Sequence, residues 1–81
     1  MTDAPVYHHG VAMRPEIGGC YVLRAGLRAF ITEELRIEGH LFWKGLVLDP
    51  EPWVNVWYAN GFYSPVPGAR NELDIMHETP Y

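Results

Sequence analysis

Residues 53–64 have the sequence WVNVWYANGFYS, and this stretch carries the clearest structural signal in the chain. Its first half alternates bulky residues with a period of two, which is typical of a β-strand. The Asn60-Gly61 pair is favoured in a two-residue type I′ turn, because both central residues of that turn need a positive φ. The stretch therefore predicts an antiparallel hairpin in which Ala59 lies opposite Phe62.

The two faces of this predicted hairpin differ in composition. One face carries aromatic side chains and an amide, namely Trp53, Asn55, Trp57 and Phe62. The other face is smaller and more aliphatic, with Val54, Val56 and Tyr58. A domain's own core needs only one of them, and Trp is enriched at the centres of binding interfaces. We therefore predict that the aliphatic face is core and that a protein partner contacts the first face, with Asp49 and Glu51 at its rim.

Upstream, residues 34–49 also alternate with a period of two, interrupted by Glu38-Gly39-His40. We expect these three residues to form a turn that sets Leu35 opposite Trp43. The Pro50 and Pro52 pair ends the second strand, because proline has no N–H to donate to a ladder. The sequence thus predicts that a meander leads into the aromatic hairpin.

Residues 21–31 are compatible with either a strand or a helix. Period two places the apolar residues on one face, whereas Ala, Leu and Arg are good helix formers. Gly26 would cost a helix about 1 kcal/mol relative to Ala, so we favour a strand. A short strand is also expected within residues 73–77. The predicted fold is mainly β, an antiparallel meander or partly open barrel with at most one short helix, and α+β is the alternative.

The composition indicates one small folded domain. With 81 residues, 48% of them hydrophobic and 20% charged, the chain has enough apolar surface to exclude disorder. We assign residues 1–20 to an irregular arm, 21–77 to the core and 78–81 to a tail. A domain of this size buries only roughly 60% of its unfolded surface, which favours homo-oligomerisation or life within a complex.

The sequence also predicts where the protein resides. No segment approaches the ~18 apolar residues of a membrane span. The first five residues, MTDAP, lack the basic and apolar regions of a secretory signal. The single cysteine, Cys20, fits a reducing compartment, so we expect a cytoplasmic protein that does not bind membranes.

Charge and motif content exclude several functions. Six Lys and Arg against ten Asp and Glu give a net charge of −4, and the few basic residues are scattered, which argues against direct nucleic-acid binding. Ser64 has no nucleophile elbow around it, and Cys20 has no visible activating partner. The four histidines match no ligand spacing with a known mechanism. We therefore predict no catalytic residue, no metal site and no cofactor.

The sequence favours a non-catalytic protein-binding module whose acidic residues meet a basic surface on the partner. Short acidic chains with aromatic strands and no catalytic constellation are typical of inhibitors encoded by phages and mobile elements, among them anti-CRISPR proteins. That comparison is an analogy of class, and it transfers no residue. The alternatives are an assembly subunit of a virion or larger complex, and a small enzyme of unrecognised type.

Overall fold

A computed structural model describes residues 10–66 and 69–79, which form one open antiparallel sheet and contain no helix. The strands are β1 (Cys20–Leu23), β2 (Arg28–Ile37), β3 (His40–Val47), β4 (Trp53–Tyr58) and β5 (Ile75–Glu78). Their order across the sheet is β4-β3-β2-β1-β5. The mainly β prediction is confirmed, and the sheet does not close into a barrel. Of the predicted arm and tail, residues 1–9 and 80–81 lie outside the described residues.

Residues 21–31 form two strands joined by a tight turn. The carbonyl of Leu23 accepts a hydrogen bond from the Gly26 N–H (2.8 Å), and the Leu23 N–H donates to the Leu27 carbonyl (2.7 Å). Gly26, whose cost in a helix favoured the strand prediction, lies in this turn with a φ of 87°. The preference for strand is confirmed, with the correction that the chain reverses direction within it.

The turn between β2 and β3 has two residues, so the predicted three-residue turn is wrong. Ile37 pairs with His40, and the intervening Glu38 and Gly39 have φ values of 52° and 83°. Two positive φ values define a type I′ turn, whose twist matches that of the flanking strands. Because the turn is one residue shorter than expected, Leu35 lies opposite Phe42 and not opposite Trp43.

The Asn60-Gly61 turn also differs from the prediction. The Tyr58 carbonyl accepts from the Gly61 N–H (2.9 Å), and the Tyr58 N–H donates to the Phe62 carbonyl (3.0 Å). The loop therefore has three residues with Gly61 at a φ of 89°, so Tyr58, not Ala59, lies opposite Phe62. Tertiary packing holds this geometry, because a Cβ at position 61 would collide with the carbonyl oxygen of Met13.

The connection from β4 to β5 decides which face of the sheet becomes the core. These strands lie at opposite edges, so the connection between them, described over residues 59–66 and 69–74 and here called the crossover, has to pass across the sheet. The Trp57 indole N–H donates to the Leu73 carbonyl (2.6 Å), and the Tyr63 hydroxyl donates to the Asn55 side-chain oxygen (2.9 Å). The arm covers the same face, where the Arg14 guanidinium lies 5.6 Å from the Trp43 ring. The buried cluster beneath consists of Tyr21, Leu23, Ala29, Ile31, Trp43, Val47, Trp57 and Ile75.

A buried carboxylate anchors the end of the crossover. Asp74 accepts hydrogen bonds from the backbone N–H groups of Tyr63 (2.8 Å) and Asn71 (2.9 Å). It also forms an ion pair with Arg24 at 2.9 Å, and both side chains are buried. Arg24 in turn donates to the Gly10 carbonyl (2.8 Å). Charge-assisted hydrogen bonds of this kind satisfy both buried ions, and they join arm, crossover and the β1–β2 turn.

The predicted assignment of the two faces of β4 is wrong. Trp57 is 0% exposed and Asn55 is 6% exposed, whereas Val54 is 58% and Val56 is 39% exposed. The crossover covers the tryptophan face because burying an indole removes far more apolar surface from water than burying a valine. Asn55 and Trp57 therefore lie in the core and present no surface to a partner.

Candidate protein-binding face

The sheet has a second face, opposite the core, that we call the open face. Directly paired residues of antiparallel strands point to the same side, so the register identifies its members. Two pairs that do not reach β4 are Val22 with Arg28 and Ile37 with His40. Three rows begin at β4: Cys20, Phe30, Leu46 and Val54; then Glu33, Lys44 and Val56; then Leu35, Phe42 and Tyr58. The rows run from β4 inward across the sheet, and two of the three are mainly apolar.

Within residues 10–66 and 69–79, the contacts that Arg14, Tyr63 and Leu73 make with the sheet lie on the other side, and no described segment packs on the open face. Val54 and Val56 at the β4 end are exposed, and Phe30 and Leu46 beside them are half-buried. Phe42 and Tyr58 form a tilted pair with ring centroids 5.3 Å apart. The result is two apolar rows that meet along β4 through Val54, Val56 and Tyr58 and are separated further into the sheet by Glu33 and Lys44.

Two shallow cavities open on this surface. One, of about 460 Å³, lies at the ends of β3 and β4 and is lined by His40, Leu41, Phe42, Tyr58, Ala59 and Asn60. The other, of about 250 Å³, is lined by Cys20, Arg28, Phe30, Leu48 and Thr79. Depressions beside an apolar strip can accept anchoring side chains from a partner.

An ion pair flanks the open face where the β3–β4 connection begins. Arg28 contacts Asp49 through its guanidinium at 2.8 Å, and its backbone N–H donates to the same carboxylate at 2.8 Å. The hydrogen bonds from Arg28 hold the pKa of Asp49 below its ordinary value, and the carboxylate raises the pKa of Arg28. Asp49 is therefore committed to an internal pair, whereas Glu51, two residues later, is exposed.

The remaining charges leave an acidic surplus. Three ion pairs form among the described residues, and they involve Arg24, Arg28 and Arg36. The acidic residues that make no ion pair with another described residue are Glu16, Glu33, Glu38, Glu51, Glu72 and Glu78. The corresponding basic residues are Arg14, Lys44 and Arg70. Acidic residues without an ion pair thus outnumber the basic ones among the described residues, and on the open face Glu33 lies directly opposite Lys44.

The Ser64 hydroxyl oxygen accepts a hydrogen bond from the Val66 N–H (3.2 Å), and no base contacts it. No group of three or more His, Cys, Asp or Glu is placed to hold a metal ion in the part of the chain that the structure describes. Residues 10–66 and 69–79 contain no helix that is long and apolar enough to cross a membrane.

The predicted contact residues do not share one surface. Trp53 is 44% exposed at the start of β4, and Glu51 is exposed beside it. Phe62 is half-buried at the loop, and Asp49 pairs with Arg28, while Asn55 and Trp57 lie in the core. Of the predicted set, Trp53 and Glu51 remain available to a partner.

A sequence signal for the open face exists in β3 and not in β4. Along β3, His40 and Lys44 alternate with Trp43 and Val47, so polar residues mark one face as solvent-facing. Lys44 pairs with Val56, and paired residues point to the same side, so Val56 lies on the solvent-facing side of β4. The interpretation of β4 by itself missed this, because both of its faces are apolar.

Comparisons with known proteins add no relative. No protein-family model, no curated protein and no solved structure matches the chain. The described residues form an open five-stranded antiparallel sheet with a buried core on one face.

Proposed function

We propose that this protein is a non-catalytic protein-binding module whose open face docks on a partner protein. The observation that supports the proposal is the asymmetry of the sheet, which has a core on one face and, on the other, apolar rows that no described residue covers. Single exposed apolar residues are ordinary, but contiguous apolar patches on small proteins often serve as interaction sites. The module acts by occupying its partner's surface, as stoichiometric inhibitors do, in the cytoplasm, where the thiol of Cys20 fits the reducing environment.

The chemistry of the face defines the partner. The partner should present an apolar patch to the row that contains Phe30, Leu46 and Val54, with basic residues around that patch. The net charge of −4 and the unpaired Glu33 and Glu51 would attract such a surface and speed association. Binding should therefore weaken as salt concentration rises, because salt screens exposed charges.

The test uses two matched valines. Val54 on the open face and Val66 on the crossover are 58% and 60% exposed, so they differ in position and hardly in exposure. A photo-reactive residue at each position, in the cells that carry the gene, should cross-link a partner from position 54 and not from position 66. In a titration with the purified partner, Val54→Asp should raise the dissociation constant by about tenfold or more, and Val66→Asp should leave the dissociation constant unchanged.

Three results would count against the proposal. The first is cross-linking that is equal at the two positions. The second is an affinity for the partner that Val54→Asp does not change. The third is binding that strengthens as the salt concentration rises.

A further inference from the structure

The outer side of β4 is an edge of the sheet, and no other described strand pairs with it. The Tyr58 N–H and carbonyl both point outward, toward the loop. The N–H donates to the Phe62 carbonyl, and the carbonyl accepts a hydrogen bond from the Gly61 N–H. Backbone groups in antiparallel strands alternate in direction, so the N–H and carbonyl groups of Val54 and Val56 also point outward. No described residue forms a hydrogen bond with those groups.

This edge lacks the features that usually prevent strands from pairing between chains. Natural edge strands are interrupted by charges, prolines or bulges, or are covered by other segments. β4 has the sequence WVNVWY, with none of those interruptions. The opposite edge shows the contrast, because Ile75 of β5 accepts from the Met13 N–H (2.8 Å) and donates to the Gly61 carbonyl (2.9 Å).

The sequence of the edge is palindromic, and this determines the partner. Residues 53–57 are WVNVW, with Asn55 at the centre. When two such strands pair antiparallel about a twofold axis, residue i of one copy lies opposite residue j of the other, and residue j of the first copy lies opposite residue i of the second. An axis at Asn55 places Val54 opposite Val56 of the second copy and Trp53 opposite Trp57. We infer that β4 pairs with β4 of a second copy of this chain, in this register, so that two sheets join into one.

One further observation fits this register. Phe62 bonds to the outer side of Tyr58, so it ends the available edge beyond Trp57 and confines pairing to the palindrome. Within it, the outward N–H and carbonyl groups of Val54 bond those of Val56 in the other copy.

The dimer would place two open faces side by side on a continuous sheet. Pairing uses the edge of β4, whereas the proposed partner docks on the face, so the inference does not depend on the proposed function. The salt response distinguishes them. Two copies that each carry a net charge of −4 repel, so self-association should tighten as salt rises, while binding of a basic partner should weaken.

Sedimentation equilibrium of the purified full-length protein is the first test. Measurements should extend to about 1 mM protein, because interfaces this small are weak. Val56→Pro removes an outward N–H and should leave the protein's own ladder intact. It should raise the dimer dissociation constant by about tenfold or more. Val54→Lys should act likewise, whereas Val66→Lys, at matched exposure, should not. A protein that is monomeric throughout, or a folded Val56→Pro or Val54→Lys variant that dimerises normally, would overturn the inference.

Cysteine cross-linking tests the register and remains decisive if the proline variant fails to fold. In a Cys20→Ala background, Val54→Cys and Val56→Cys chains should form a disulfide when mixed, because positions 54 and 56 face each other across the axis. Each variant oxidised by itself should cross-link far less. Efficient cross-linking of Val54→Cys with itself, or none in the mixture, would contradict the proposed pairing.

Discussion

Trp57 shows how the energy of a single side chain selects a face. Burying a Trp removes about 150–250 Å² from water, which at about 25 cal/mol per Å² is roughly 4–6 kcal/mol, against roughly 1.5–3 kcal/mol for Val. The fully buried Trp57 and nearly buried Trp43 therefore stabilise the fold more than Val54 and Val56 could.

Substitutions at neighbouring positions of β4 should separate these roles. Trp57→Ala is expected to lower the free energy of unfolding by about 3–5 kcal/mol, because it leaves a large cavity and loses the bond to Leu73. Val56→Ala should change it by less than about 1 kcal/mol, because that side chain is exposed. Urea unfolding measures both. A larger loss for Val56→Ala than for Trp57→Ala would mean that the faces are reversed.

The Arg28–Asp49 pair predicts an acid-sensitive contribution to stability. The folded pKa of Asp49 is lowered by hydrogen bonds from Arg28, so the contribution is present above its ordinary pKa of 3.8 and disappears as pH falls through the lowered value. Asp49→Asn should thus melt at a lower temperature than the wild type near about pH 7, and the two melting temperatures should converge as the pH falls below the lowered pKa of Asp49. The effect should be modest, since the pair is partly exposed.

The exposed Glu51 provides the control for this experiment. Glu51→Gln removes a carboxylate two residues away that makes no ion pair with another described residue. Its melting temperature should follow the wild type across the same pH range. A difference between Asp49→Asn and the wild type that persists unchanged in acid would show that ionisation of Asp49 does not stabilise the fold.

At the scale of elements, turn chemistry sets strand register. Glu38 is the only described residue other than glycine with a positive φ, a conformation that costs most residues about 1–2 kcal/mol. Asn tolerates it better, so Glu38→Asn should stabilise the protein by up to about 1 kcal/mol. Glu38→Gln removes the same charge without the conformational gain and should not stabilise as much. Equal melting temperatures for the two variants would exclude backbone conformation as the cause.

At the scale of the whole molecule, the crossover makes one face core and leaves the other open. Asp74 anchors its end through Arg24, Tyr63 and Asn71. Asp74→Asn removes one partner of a buried ion pair, which typically costs about 3–5 kcal/mol. Hydrogen exchange should accelerate across residues 59–74, and Trp57 fluorescence should report looser packing. Glu72→Gln, an exposed neighbour, is the control, and unchanged exchange in Asp74→Asn would contradict this role.

Much of the fold was predictable from local physical chemistry. Period-two patterning located β3 and β4, and the glycines at positions 26, 39 and 61 all lie in turns with positive φ. Register was harder, because a two-residue and a three-residue turn use similar residues and differ by one position. The Glu38-Gly39 and Asn60-Gly61 turns have lengths opposite to those expected, which shifted every predicted cross-strand pair.

The sequence by itself indicated a mainly β chain with few charges across its aromatic region and no recognisable catalytic motif, and the structure showed that the described residues contain no helix. Only the tertiary structure decided which face of β4 is buried, because WVNVW has bulky residues on both faces and the strand itself carries no preference. That choice follows from β4 and β5 lying at opposite edges, since the crossover must then span one face and the tryptophans gain most from being covered. The candidate binding face is what this long-range topology leaves uncovered.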